Sequence, residues 1–306
     1  MPVLAFVFPG QGSQAVGMGR ELGEASPRWA EASATLGFDL RRLCFEGPES
    51  ELVLTANTQP AILTTSLVAL DALRAAGVTC QFVAGHSLGE YSALVAAGGL
   101  DFADAVRTVR ARGQFMQEAV PAGAGAMAAV LGLDRAQVAA ACAEACDAGP
   151  VQVANLNGPG QTVIAGATAG VKKAMELAKA RGARRAVPLP VSAPFHSSLL
   201  APAAEKLRGV LAGVAVHDLR VPLVTNVDAE PLTAGARIAD TLVRQVTAPV
   251  RWEEVVQRLV KEGVTAFVEV GPGKVLSGLI RRIAPEASVL NVEDRASLDT
   301  TVRALA

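Results

Sequence analysis

The pentapeptide Gly85-His86-Ser87-Leu88-Gly89 lies between the apolar run Gln81 to Ala84 and a helical segment from Glu90 to Ala97. A serine flanked two residues away on each side by glycine, between a strand and a helix, sits on a sharp, strained turn. Side chains at the glycine positions would clash with the neighbouring strand and helix. Such an elbow lifts the hydroxyl of Ser87 out of the sheet and points the N–H of Leu88 at the place where an oxyanion would form. The chemistry on offer is acyl transfer through a covalent serine ester, which requires a base within reach.

Three histidines are available: His86, His196 and His217. His86 adjoins the serine. Prolines 188, 190 and 194 keep the segment Val191-Ser192-Ala193-Pro194-Phe195-His196-Ser197 extended, so His196 is expected on a loop. His217, in a strand-like stretch, is the rival base. Between Ser87 and His196 the acids are Glu90, Asp101, Asp104, Glu118, Asp134, Glu144, Asp147 and Glu176. Each falls in, or at the start of, an expected helix and none at the end of a parallel strand, so a dyad without a carboxylate is expected. Asp101 is the expected N-cap of a helix to Glu118. Its apolar face carries Phe102, Ala105, Val106, Val109 and Met116, with Arg112 on the same side; Arg107 and Arg110 face water. A guanidinium there closes an ion pair, snorkels, or awaits an anionic ligand.

The elements that must hold these groups alternate. Val3 to Phe8, Leu223 to Val227, Ala266 to Val270 and Val289 to Val292 read as strands. Helices are expected over Ser26 to Leu36, Gln59 to Ala76, Arg237 to Gln245, Trp252 to Glu262 and Lys274 to Ile283. The result is a mostly parallel α/β sheet. A second pattern interrupts it. Strands Ala126 to Leu131, Val151 to Leu156, Thr162 to Ala165 and Arg184 to Leu189, with helices Asp134 to Cys146 and Thr168 to Arg181, give the ferredoxin-like order βαββαβ. The expected division is a large body, 1–123 and 190–306, with a small inserted unit, 124–189, and a ligand cleft between them.

Composition narrows the class. The 306 residues are 51% hydrophobic and 19% charged, with 29 Gly and 17 Pro, which suits a compact α/β enzyme rather than a disordered chain. A net charge of −1 gives no electrostatic case for nucleic acid or an anionic membrane surface. Met1 to Gly10 is apolar but lacks a basic start and is not expected to be a signal peptide. Uncharged stretches such as Ala148 to Val171 are broken by Gly, Pro, Asn and Gln, so no membrane span is expected. The four cysteines form no CxxC pair; Cys142 and Cys146 are expected to line one buried helix face, and no metal site is expected. A cytoplasmic location follows as the default. Gly10-x-Gly12-x-x-Ala15 imitates a dinucleotide fingerprint, but no acidic strand end follows at the required spacing. The alternative is a loop beside the elbow that completes an oxyanion hole.

Seven segments together resemble the malonyl-CoA:acyl-carrier-protein transacylases: Phe8-Pro9-Gly10-Gln11-Gly12-Ser13, Gly85-His86-Ser87-Leu88-Gly89-Glu90, Arg112-Gly113-Gln114-Phe115-Met116-Gln117, Asn157-Gly158-Pro159-Gly160-Gln161, Pro194-Phe195-His196, Arg244-Gln245 and Glu269-Val270-Gly271-Pro272-Gly273. The resemblance spans essentially the whole chain. It implies a hydrolase-like α/β body with a ferredoxin-like subdomain. Ser87 would be the acylated nucleophile and His196 its base, with Gln11 and Leu88 as backbone oxyanion donors. Arg112 would bind the malonyl carboxylate, and a loop carbonyl of Gln245 would orient the histidine. Asn157 would shape the cleft and His86 would line it. The implied reaction carries malonyl from malonyl-CoA to the phosphopantetheine thiol of an acyl carrier protein for fatty-acid elongation. No cofactor is implied, and a monomer is expected. A malonyltransferase serving polyketide synthesis, a serine thioesterase or esterase, and a non-catalytic carrier-protein scaffold are the other readings.

Overall fold

A computed structural model describes residues 2–191 and 193–306; Met1 and, within the segment expected to be extended, Ser192 lie outside the described residues. The body is a six-stranded sheet of order β10-β9-β1-β2-β7-β8. Its strands are β1 (Leu4–Phe8), β2 (Phe82–Gly85), β7 (Leu223–Val224), β8 (Pro231–Leu232), β9 (Ala266–Val270) and β10 (Ser288–Val292). All pairings are parallel except the antiparallel β7–β8 edge. Both faces are covered, as a parallel sheet requires. Along β1, Leu4, Phe6 and Phe8 enter one core, while Ala5 and Val7 join Trp252, Val255, Val256, Leu259 and Ile280 on the other. This is the period of two of a strand, with apolar residues on both sides.

The second sheet has the order β4-β5-β3-β6, built from β3 (Gly125–Leu131), β4 (Val151–Gly158), β5 (Gln161–Ala167) and β6 (Arg185–Pro188). All its pairings are antiparallel. Helices Arg135–Ala145 and Thr168–Ala180 complete the ferredoxin-like βαββαβ order, so the fold is a hydrolase-like α/β body carrying an inserted subdomain. The strand β4 is stitched to the body: Leu156 N–H donates to the Val250 carbonyl (2.9 Å), and Val250 N–H to that of Ala154 (2.9 Å).

Several boundaries differ from expectation for identifiable reasons. The helix before the elbow runs Thr55–Ala75 and carries Pro60 in its interior, not at its start. Fifteen of its residues are buried, and that packing outweighs the N–H missing at Pro60. Helices Leu40–Glu46, Ala201–Leu211 and Arg295–Leu305 were not anticipated. Leu223–Val224 is far shorter than the run to Val227, because Thr225 to Ala229 close the turn into β8. Asp101 occupies the N-cap of Phe102–Glu118 without a side-chain cap bond. Cys142 is buried but Cys146, at the helix end, is exposed. Arg110 is half-buried over the Phe38 ring and bonded to Asn57, where a fully solvated side chain was expected.

The elbow glycines are packing requirements. A Cβ on Gly89 would lie 2.0 Å from the Phe8 carbonyl oxygen, and one on Gly85 would lie 2.0 Å from the Gly89 carbonyl. Gly89→Ala is therefore expected to destabilise the fold by about 1–3 kcal/mol or more. Gly209, in open space on the helix Ala201–Leu211, should tolerate alanine or gain from it. Thermal melting of both variants checks this: equal midpoints would mean that the elbow has slack.

Candidate active site

Ser87 follows β2 and precedes the helix Gly89–Ala97, with φ of 51°, a left-handed value that is strained for a residue with a side chain. Asn226 holds it there. Its Oδ1 accepts the Ser87 N–H (2.7 Å), and its Nδ2 donates to the Gly85 carbonyl (2.7 Å). His196 lies in a turn, also left-handed (φ 57°), and is buried. Its Nε2 stands 2.8 Å from Ser87 Oγ and its Nδ1 2.9 Å from the Gln245 carbonyl oxygen. A carbonyl only accepts, so Nδ1 carries the proton and Nε2 presents a lone pair to the serine hydroxyl. Burial, reinforced by the positive charge of Arg112, pulls the imidazole pKa down to about 3, so the ring is a free base at neutral pH. His217 is exposed on a coil segment, its backbone N–H donates to the Gly99 carbonyl (3.1 Å), and among the described residues no hydrogen bond joins it to Ser87 or His196.

The Gln245 carbonyl belongs to the last turn of the helix Ile238–Thr247 and not to a loop as expected. It is available for a physical reason. In a continuing helix it would accept the N–H of residue 249, but that residue is proline. Pro249 also drives Ala248 into an extended conformation (ψ 154°), ending the helix there. Arg244 anchors the same turn through a bidentate pair to Asp228 (2.9 and 2.8 Å). From the inserted sheet, Gln152 Nε2 donates to the His196 and Thr247 carbonyls (3.3 and 3.2 Å), and its Oε1 accepts Ser198 N–H (3.0 Å).

Arg112 is 2% exposed and reaches the site from the helix Phe102–Glu118. Its Nη2 donates to Ser87 Oγ (3.0 Å) and to Gln245 Oε1 (2.8 Å); its Nη1 donates to Gln59 Oε1 (2.8 Å). The guanidinium lies 5.5 Å from the Tyr91 ring centroid. Among the described residues no carboxylate pairs with it, and its buried Nε has no partner. Burial lowers its pKa, yet an arginine keeps its charge in a protein. A buried cation with unspent donors is a receptor for an anion.

The remaining expected residues flank this centre. His86 Nε2 is 2.9 Å from Asn157 Oδ1, a bond from the elbow to the inserted sheet, and its ring meets that of Trp252. Gln11 is exposed on the loop after β1, its side chain bonded to Thr55 (3.2 Å). The backbone N–H groups of Gln11 and Leu88 have no partner among the described residues. Four contributors were not singled out as site residues from the sequence: Gln59, Glu90, Gln152 and Asn226. Their bonds join distant segments, and no local spacing marks them. The Glu269 of the Glu-Val-Gly-Pro-Gly segment is structural: its carboxylate accepts Leu276 and Ser277 N–H at the start of the helix Val275–Ile283 (3.0 and 2.7 Å). Among the described residues no three or more His, Cys, Asp or Glu side chains are grouped to hold a metal.

Elbow serine, imidazole and backbone donors on a hydrolase-like sheet define a serine acyl-transferring site. Residues 5–301 match the family model described as acyl transferase domain, and the chain belongs to that family. Among its relatives is the malonyl CoA-acyl carrier protein transacylase of Bacillus subtilis, 51% identical over 310 residues, covering 100% of this chain and 98% of the relative. The transacylase of the same name from Escherichia coli is 52% identical over 299 residues, covering 95% and 96%. The acyl-carrier-protein S-malonyltransferase structure from Burkholderia pseudomallei superposes with a TM-score of 0.96 at 52% identity, covering 98% of this chain and 99% of that one. A malonyl-transacylase in complex with a type II polyketide acyl-carrier protein gives 0.96 at 46% identity, covering 98% and 99%.

Proposed function

We propose that this chain moves the malonyl group from malonyl-CoA to the phosphopantetheine thiol of an acyl carrier protein, supplying fatty-acid elongation. The observation that carries the choice of acyl group is Arg112, a buried guanidinium without a carboxylate partner, 3.0 Å from Ser87 Oγ. His196 Nε2 takes the hydroxyl proton as Ser87 Oγ attacks the thioester carbonyl. The Gln11 and Leu88 N–H groups receive the oxyanion. The C–S bond then breaks, and the departing CoA thiolate takes the proton from His196. The result is a malonyl ester on Ser87. In the second half, His196 deprotonates the carrier thiol, which attacks the ester and returns Ser87 to its hydroxyl form. Arg112 pairs with the free carboxylate throughout, while His86 and Asn157 close the cleft between body and insert. In this reading residues 1–123 and 190–306 form the catalytic body and 124–189 the insert. The enzyme works as a cytoplasmic monomer and needs no cofactor.

Incubation with malonyl-CoA and no acceptor is expected to add one malonyl group, located by peptide mass spectrometry on Ser87, and Ser87→Ala should abolish it. Label on a cysteine, or label that survives the substitution, would overturn the assignment. Fast loss of the ester to water without a carrier protein would favour a thioesterase instead. The type II polyketide complex among the structural relatives keeps polyketide carriers in view as acceptors. Transfer assayed against fatty-acid and polyketide carrier proteins side by side decides between them.

A further inference from the structure

Glu90 is a fully buried carboxyl group in the first turn of the elbow helix, three residues from Ser87, and it plays no part in holding His196. Its Oε1 accepts the Asn226 N–H (3.1 Å) and its Oε2 accepts Gln245 Nε2. The same Nε2 donates to the Ser87 carbonyl (2.9 Å). Both amide hydrogens of Gln245 are therefore spent on groups that only accept. Its Oε1 must then face the other way, where it receives Arg112 Nη2 at 2.8 Å. An amide is nearly symmetric in shape, so only its partners decide which end points where. Turned over, Gln245 would set NH₂ against the guanidinium, donor against donor.

We propose that Glu90 is a specificity-determining positioning residue: through the Gln245 amide its carboxylate holds Arg112 over Ser87 Oγ, and so tunes the site to acyl groups that carry a carboxylate. The inference rests on the malonyl-transfer reading above and deepens it. Glu90 faces Arg112 from the helix Phe102–Glu118, Tyr91 from its own helix, and Asp228 from the β7–β8 turn. Burial raises the Glu90 carboxyl to about 7, against the bonds from Gln245 and Asn226 and the charge of Arg112. Both of its oxygens meet donors, so a protonated carboxyl has no acceptor there and disrupts the lock. The lock is present above this pKa and is lost as pH falls through it.

The test measures CoA release in the first half-reaction and compares kcat/KM for malonyl-CoA and acetyl-CoA. Glu90→Gln can donate to Gln245 and allows the amide to turn over. It is expected to lower the malonyl-to-acetyl ratio about 10-fold, the scale of one hydrogen bond to a charged group. Gln245→Met keeps the backbone carbonyl for His196, removes the amide, and should lower the ratio similarly. It decides the question if Glu90→Gln does not fold. In an Arg112→Ala background, Glu90→Gln should change the ratio no further, because the effect runs through Arg112. In the wild type the ratio should fall between about pH 8 and about pH 6, and in Glu90→Gln it should stay flat. Equal losses for both substrates, additivity with Arg112→Ala, or an unaltered pH trend would overturn the proposal. Failure of the underlying reading looks different: the wild-type protein itself would then show no malonyl preference and no Ser87 ester.

Discussion

Replacing His196 by asparagine is expected to lower malonyl transfer by about 10²- to 10⁴-fold, the contribution of a positioned general base. Asparagine is preferable to alanine because position 196 is left-handed (φ 57°), a conformation asparagine tolerates better. The loss should appear in both half-reactions, since in the proposed mechanism the same Nε2 deprotonates Ser87 Oγ and then the incoming thiol. The orienting partner at Nδ1 is the Gln245 carbonyl, and among the described residues no carboxylate completes a triad. A carbonyl sets the tautomer as well as a carboxylate does, but stabilises the imidazolium less. Neutralising Asp101, Asp104, Glu118, Asp134, Glu144, Asp147 or Glu176 singly should accordingly leave most activity. With the imidazole pKa near 3, the base remains available at any pH near neutrality. A variant lacking the imidazole that keeps more than a tenth of the rate would remove His196 from the mechanism. A severe catalytic loss from one of those acids, in a folded protein, would reveal a triad.

The second large effect is expected at Arg112. Its guanidinium already spends donors on Gln59, Gln245 and Ser87, and its Nε–H is unspent. A malonyl carboxylate entering this buried site must be paired. Leaving such a charge unpaired costs roughly 3–5 kcal/mol, or about 10²- to 10³-fold and somewhat more in rate. Arg112→Ala should therefore depress kcat/KM for malonyl-CoA by that factor while acetyl-CoA, which brings no charge, gains relative to it. Arg112→Lys should rescue little, because an ammonium cannot reproduce two parallel bonds to a carboxylate. Equal falls for the two substrates would make Arg112 a scaffold for Ser87 rather than a selector.

Much of the scaffold was legible in the chain because its signals are local. The run Ala266 to Val270 is a strand end to end, since five apolar or buried residues between turn signals leave few alternatives. The βαββαβ order of the insert followed from alternating strand and helix periods. The elbow followed from two glycines whose absent side chains the structure now explains in distances. Even Arg112 could be assigned to a buried face by counting 3.6 residues per turn.

What only the tertiary structure decided was which polar groups meet. His196 approaches Ser87 across 109 residues of sequence, and Gln245 reaches Ser87 and Glu90 across 158 and 155. Periodicity records which side of an element faces the core, not which distant element packs there. The Gln245 carbonyl illustrates the limit. Its identity came from a resemblance, but its freedom to hold an imidazole depends on Pro249 ending the helix at Thr247 and on the His196 turn being clamped by Gln152. Glu90 is the sharper case. One dimension showed only an acid in a helix. Burial, with no ion pair among the described residues, in a network whose donors and acceptors permit one arrangement, makes it part of the site, and that arrangement exists only once the α/β body has closed around it.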